Sequence, residues 1–121
     1  MDLGNILVVD DEEAIREVVS TMLESRGYQC TSVSNGRAAQ ECVKKQTPDL
    51  VLSDMIMPEM DGIACIQQLM AIDSSVSILV ISALSDKATG IEALKKGARG
   101  FLCKPFTEEQ LLEALTELTE D

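Results

Sequence analysis

Histidine and tryptophan are absent from the sequence, and only Tyr28, Phe101 and Phe106 carry aromatic rings. A core must therefore be built from Ile, Val, Leu, Met and Ala, which suits sheets sandwiched by helices. Cys30, Cys42, Cys65 and Cys103 form no C-x-x-C pair, and with no histidine to complete a ligand set neither a zinc site nor a disulfide framework is suggested. Buried, reduced thiols are expected, although spacing in sequence leaves pairing after a conformational change open. Basic residues are scarce: 10 Lys and Arg stand against 21 Asp and Glu, a net charge of −11. That balance repels a nucleic-acid backbone or an anionic membrane surface, so direct binding to either is not expected. The most apolar stretch, Val76 to Leu84, is too short to span a bilayer, and Met1 to Gly4 lack the basic start of a signal peptide. The expected location is the cytoplasm.

What is present is a regular alternation. Short apolar runs recur at Ile6 to Val9, Tyr28 to Val33, Leu50 to Leu52, Ile78 to Ile81 and Phe101 to Cys103, each followed by a segment with helical spacing. Stripes at three- and four-residue intervals include Ile15, Val18, Val19 and Met22, then Ala39, Cys42 and Val43, then Ile63, Ile66, Leu69 and Met70. Gly27, Gly97 and Gly100 stand near expected helix ends, and Asp61, Ser85 or Asp86, and Thr107 are candidate N-caps. Five β-then-α units imply an α/β fold, a parallel sheet with right-handed crossovers and helices on both faces, in one domain spanning residues 1–121. The first, third and fourth runs are continuously apolar, as central strands are. The second is half polar and the fifth short, which puts those two at the edges. The three-layer, flavodoxin-like order 2-1-3-4-5 is compatible with this, and other neighbour orders are not eliminated by hydrophobicity alone.

Parallel strands gather whatever lies at their carboxyl ends along one edge, where such folds bind ligands. The first run ends in Asp10-Asp11, the third in Asp54, the fourth in Ser82 and the fifth in Lys104-Pro105. Ionised carboxylates held a few ångströms apart must protonate, separate or bind a cation. The available ligands are all oxygens, which suits magnesium rather than zinc. A lysine across the same cleft would partner an anion bound between it and the metal, and phosphate is the obvious anion, since a carboxylate can accept a phosphoryl group as an acyl phosphate. Each piece also has a plainer reading. Asp10 to Glu13 suit any helix N-terminus, Asp54 could start a loop, Lys104 alone reads as a solvated strand end, and the methionines at 55, 57 and 60 read as packing filler.

Together, Val8-Val9-Asp10-Asp11-Glu12, Leu52-Ser53-Asp54 through Met57-Pro58-Glu59-Met60-Asp61-Gly62, Ser82-Ala83 and Lys104-Pro105-Phe106 resemble the response regulator receiver family of bacterial two-component systems. The likeness covers nearly the whole chain, and the order of the pieces at strand ends makes it specific. The resemblance implies that Asp54 is the phosphoacceptor. It implies magnesium, for which manganese can substitute, held directly by Asp11 and Asp54, largely through water by Asp10, and by the backbone carbonyl of Ile56. It further implies that Lys104 contacts the phosphoryl group, that Ser82 moves toward it, that Phe101 is the aromatic switch and that Pro105 is a cis proline aiming the lysine. The implied partners are a sensor histidine kinase or a histidine phosphotransfer protein, and a downstream protein or output domain reached through the fourth helix, fifth strand and fifth helix. A phosphorylation-dependent homodimer is allowed for.

Two choices depart from the commoner pattern, which has tyrosine where Phe101 stands and threonine where Ser82 stands. Ile56 and Leu84, two positions beyond Asp54 and Ser82, are apolar where the family's side chains rim the pocket, which implies slow self-hydrolysis of the acyl phosphate. Three other functions fit less well. A haloacid-dehalogenase-like phosphatase places its two aspartates two residues apart, whereas Asp10 and Asp11 are adjacent. A flavodoxin-like carrier of FMN would not present four acids to a phosphate. A receiver kept only for protein binding would not need the full acidic and lysine set.

Overall fold

A computed structural model describes residues 4–54, 56–57, 60–83, 87–104 and 106–119; within them the side chains of 54, 56–57, 60–63, 82–83, 87, 89–90, 104 and 118–119 lie outside the description. The elements run β1 (Asn5–Val9), α1 (Glu13–Glu24), β2 (Gln29–Val33), α2 (Gly36–Lys45), β3 (Leu50–Asp54), β4 (Ile56–Met57), β5 (Met60–Asp61), α3 (Gly62–Ile72), β6 (Ile78–Ala83), α4 (Lys87–Lys95), β7 (Gly100–Lys104) and α5 (Glu108–Thr119). Five strands form one parallel sheet in the order β2-β1-β3-β6-β7, which is 2-1-3-4-5 when its strands alone are counted. That is the flavodoxin-like arrangement expected from the alternation.

The continuously apolar runs are continuous because the sheet is buried on both sides. Leu7, Val9, Val51, Ile78 and Val80 face α2, α3 and α4 through Val43, Ile66, Leu69 and Ala93. Ile6, Val8, Leu50, Leu52, Leu79 and Ile81 face α1 and α5 through Val19, Leu23, Leu111 and Leu115. The two edge strands are the half-buried ones: in β2 no residue is fully buried, and Gly100 to Cys103 of β7 are all half-buried.

Local signals explain most of the boundaries. After α1, Gly27 takes φ +99° and the amides of Gly27 and Tyr28 return to the carbonyls of Glu24 and Leu23; after α4, Gly97 takes φ +123° and its amide and that of Ala98 return to Leu94 and Ala93. Both are helix stops that want a left-handed residue. Gly100 is no helix end; it opens β7. At α5, the Gln110 amide donates to Thr107 Oγ1 at 3.1 Å while the Thr107 amide donates to Gln110 Oε1 at 2.9 Å, a reciprocal cap. Asp61 immediately precedes α3, and Ser85 and Asp86 lie outside the described residues.

Three features differ from the sequence expectation. Val18 is 53% exposed, and α1 buries Val19 and Leu23 instead. Of the four cysteines only Cys65 is fully buried, with Cys30, Cys42 and Cys103 half-buried. Between β3 and α3, where the alternation places no further element, β4 and β5 make a two-residue antiparallel ladder.

Candidate functional site

Asp10 and Asp11 leave the carboxyl end of β1 directly beside β3, because Val9 pairs with Ser53 and the next residue of β3 is Asp54, its last. Neighbouring strands stand about 4.8 Å apart. On the other side of β3, Asp54 pairs with Ile81, one residue before Ser82, and Ser82 in turn pairs with Cys103 and Ala83 with Lys104, the last residue of β7. The backbones of Asp10, Asp54, Ser82 and Lys104 therefore lie along one sheet edge, on four consecutive strands. Ile56 opens β4, directly after that edge. Phe101 sits three residues before Lys104 on β7, half-buried, and packs against the core on the α4 side. Pro105 and Leu84 lie outside the described residues.

The acidic turn after β1 is the part of the edge resolved in side-chain detail. Asp10 is 1% exposed. Its amide donates to the Val33 carbonyl at 3.2 Å, and its Oδ1 accepts from the Glu12 amide at 2.9 Å. That bond folds the chain back on itself within two residues, a local alternative to helix that aspartate favours. In consequence carboxylate oxygens of Asp10, Asp11 and Glu12 come within 4.8 Å of one another, Asp10 buried and the other two exposed. Glu12 was not among the ligands implied by sequence. Its signal was present in the run Asp10 to Glu13, but the run is equally a helix start, and Glu12 does precede α1, with no side-chain capping bond of its own.

The donor set fits a hard divalent cation. Three carboxylates in reach of each other supply only oxygen, the chemistry of magnesium rather than of zinc or copper. Among the described residues no other group of three such ligands comes this close together. One recess lies at the amino ends of the strands beside Thr31, Cys42, Lys45 and Pro48, and another is a shallow groove along α1 beside Glu13, Arg16, Glu17 and Ser32.

Residues 6–116 match the family model described as the response regulator receiver domain. The chain belongs to that family. This receiver is 39% identical over 115 residues to the chemotaxis protein CheY of Thermotoga maritima, covering 94% of this chain and 96% of that protein. It is also 39% identical over 111 residues to the transcriptional regulatory protein ZraR of Escherichia coli K12, covering 92% of this chain but 25% of that longer protein. Among solved structures, chemotaxis protein CheY4 of Vibrio cholerae superposes with a TM-score of 0.88 at 31% identity, over 95% of this chain and 98% of that one. The receiver's class of function is thus phosphorylation-dependent signalling in two-component systems. Among the described residues no helix is long and apolar enough to cross a membrane.

Proposed function

We propose that residues 1–121 form one receiver domain that accepts a phosphoryl group on Asp54 from a phosphohistidine of a sensor kinase or phosphotransfer protein. The transfer breaks the phosphorus–nitrogen bond of the donor and forms a phosphorus–oxygen bond to the Asp54 carboxylate. Asp10, Asp11 and Asp54, with the carbonyl of Ile56, hold magnesium or, in its place, manganese. Bound there, the ion neutralises charge on the transferred group and on the acids around it. Lys104 supplies the opposing positive charge. After transfer, Ser82 moves to the phosphoryl oxygens and Phe101 turns inward, which alters the face formed by α4, β7 and α5. That face controls a downstream protein, an output domain or a phosphorylation-dependent homodimer. The receiver is not a turnover enzyme toward a separate substrate; it assists its own phosphorylation and its slow dephosphorylation, and it works in the cytoplasm.

One observation supports this reading above the others: the buried Asp10 and its two acidic neighbours converge beside the strand that ends in Asp54. The test is incubation with magnesium and a small phosphodonor, read by intact mass on wild type and Asp54→Asn. A single phosphate adduct on wild type alone is expected. An adduct on both proteins, or on neither, overturns the assignment of Asp54.

A further inference from the structure

Arg16 stands in the first turn and a half of α1, half-buried, with one side in the groove beside Glu13, Glu17 and Ser32. Its Nη1 donates to the backbone carbonyl of Asp10 at 2.7 Å, and its own amide donates to the carbonyl of Glu12 at 3.1 Å. One residue therefore grips both ends of the turn that carries the three converging carboxylates. Asp10 is also held by the bonds from its amide to Val33 and from the Glu12 amide to its Oδ1. The Arg16 bond and the bond from the Glu12 amide to the carboxylate are both charge-assisted, the stronger kind. The Arg16 bond goes to a carbonyl, so the guanidinium fixes the turn without occupying a carboxylate oxygen that a cation could use.

We propose that Arg16 is a positioning residue for the cation end of the site, holding the Asp10–Glu12 turn in its metal-ready form. The proposal rests on the reading of that turn as a magnesium site. Two effects of Arg16 oppose each other. As a positive charge beside the turn it repels an arriving dication, and this effect alone makes its removal tighten binding. As a tether it keeps like-charged acids together, whose mutual repulsion is several-fold stronger in a partly buried setting than in water. Without the tether the turn relaxes by spreading those acids, and metal binding has to draw them together again. The second effect wins, because the arginine bonds to the ligand-bearing residue itself, whereas its charge is screened on the groove side by solvent and by the exposed Glu13 and Glu17. Lysine does not replace it fully, since a single ammonium lacks the planar fork of donors.

The sign of the effect is the test. Magnesium titration by calorimetry on the full chain compares wild type with Arg16→Met, Arg16→Lys and Arg99→Met, the last removing a positive charge at the opposite sheet edge, where the Arg99 amide bonds to Ile78. Arg16→Met weakens magnesium binding about tenfold, the low end of what loss of a ligand-orienting residue costs. Arg16→Lys falls between wild type and Arg16→Met, and Arg99→Met stays within twofold of wild type. Hydrogen exchange adds a readout free of metal: the Glu12 amide exchanges faster in Arg16→Met, while the core amides of β3 and β6 keep their protection. Magnesium binding that is unchanged or tighter in Arg16→Met, in a protein whose core protection is intact, overturns the proposal alone. Absence of magnesium binding in wild type overturns the reading of the site and the proposal together. General loss of core protection in Arg16→Met passes the decision to Arg16→Lys, whose binding must then be weaker than wild type for the proposal to stand.

Discussion

Thr47 Oγ1 donates to Asp73 Oδ2 at 2.6 Å, joining the segment after α2 to the turn after α3. The other carboxylate oxygen of Asp73 accepts from Ser75 Oγ at 2.6 Å and from the Ser75 amide at 2.9 Å. These contacts lie at the amino ends of the strands, away from the acidic turn, so they bear on stability and not on chemistry.

The Ser75 hydroxyl first, then Thr47, then the Ser75 amide hold the Asp73 carboxyl down from 3.8 to about 2. A carboxyl depressed in the folded state adds stability above its unfolded pKa and loses that contribution as pH falls toward its folded one. Asp73→Asn is therefore expected to lower the urea midpoint at pH 6, with the gap to wild type narrowing between about pH 4 and pH 2. A gap that is constant across that range would show that the charge of Asp73 is not what stabilises the turn.

Helix α1 offers a test of its packing phase. Leu23 is fully buried against the sheet, whereas Val18 is 53% exposed. Leu23→Ala should cost about 2–5 kcal/mol in urea unfolding, and Val18→Ala should stay within about 0.5 kcal/mol of wild type. Equal costs would mean that the helix is rotated relative to the sheet.

Val18 also marks where sequence reading runs out. The five strand–helix units and the edge positions of β2 and β7 were legible because burial on both faces leaves the runs of central strands apolar, whereas the order of the three central strands was compatible with the pattern without being fixed by it. The choice between Val18 and Val19 was not legible, since both fit a three-four spacing and only the sheet's position decides. Asn35 caps α2, its Oδ1 accepting from the Ala38 amide at 2.8 Å, yet Ser34-Asn35-Gly36 reads equally well as a turn in the sequence. At the site, Asp10 and Asp11 were legible from residue type and strand position. Glu12 was not, because its approach to Asp10 depends on a two-residue hydrogen-bonded fold of the backbone. The tether from Arg16 was invisible for a similar reason: a basic residue on an acidic helix face gives no sign of which oxygen it reaches.

The thiols should divide into two classes. Burial, and secondarily the charge of Glu24, pushes Cys30 up to about 11, so at pH 8 about one thiol in a thousand is the reactive thiolate. Burial pushes Cys65 up as well, against a smaller opposite effect of the Ser53 hydroxyl, and no part of Cys65 reaches solvent. Iodoacetamide at pH 8 is therefore expected to add no more than two groups to the folded chain, at Cys42 and Cys103, and four in urea. Mass mapping that finds Cys65 or Cys30 alkylated under native conditions contradicts the packing described for them.

The lifetime of the phosphorylated form tests the proposed pocket rim. Hydrolysis of an acyl phosphate requires a water molecule aligned for attack on phosphorus, and a polar side chain beside the phosphoryl group can hold one there, whereas an apolar side chain cannot accept or donate to it. Ile56 opens β4, two residues beyond the end of β3 and on the short ladder with Asp61, so its neighbourhood to Asp54 is set by the backbone. Leu84 follows β6, outside the described residues. Replacing both with asparagine is expected to shorten the phosphate lifetime several-fold once donor is removed, as followed by intact mass over time, with each single variant intermediate. An unchanged lifetime in the double variant, with phosphorylation itself preserved, would mean that the attacking water is positioned by groups other than these two and that their apolar character does not set the duration of the signal.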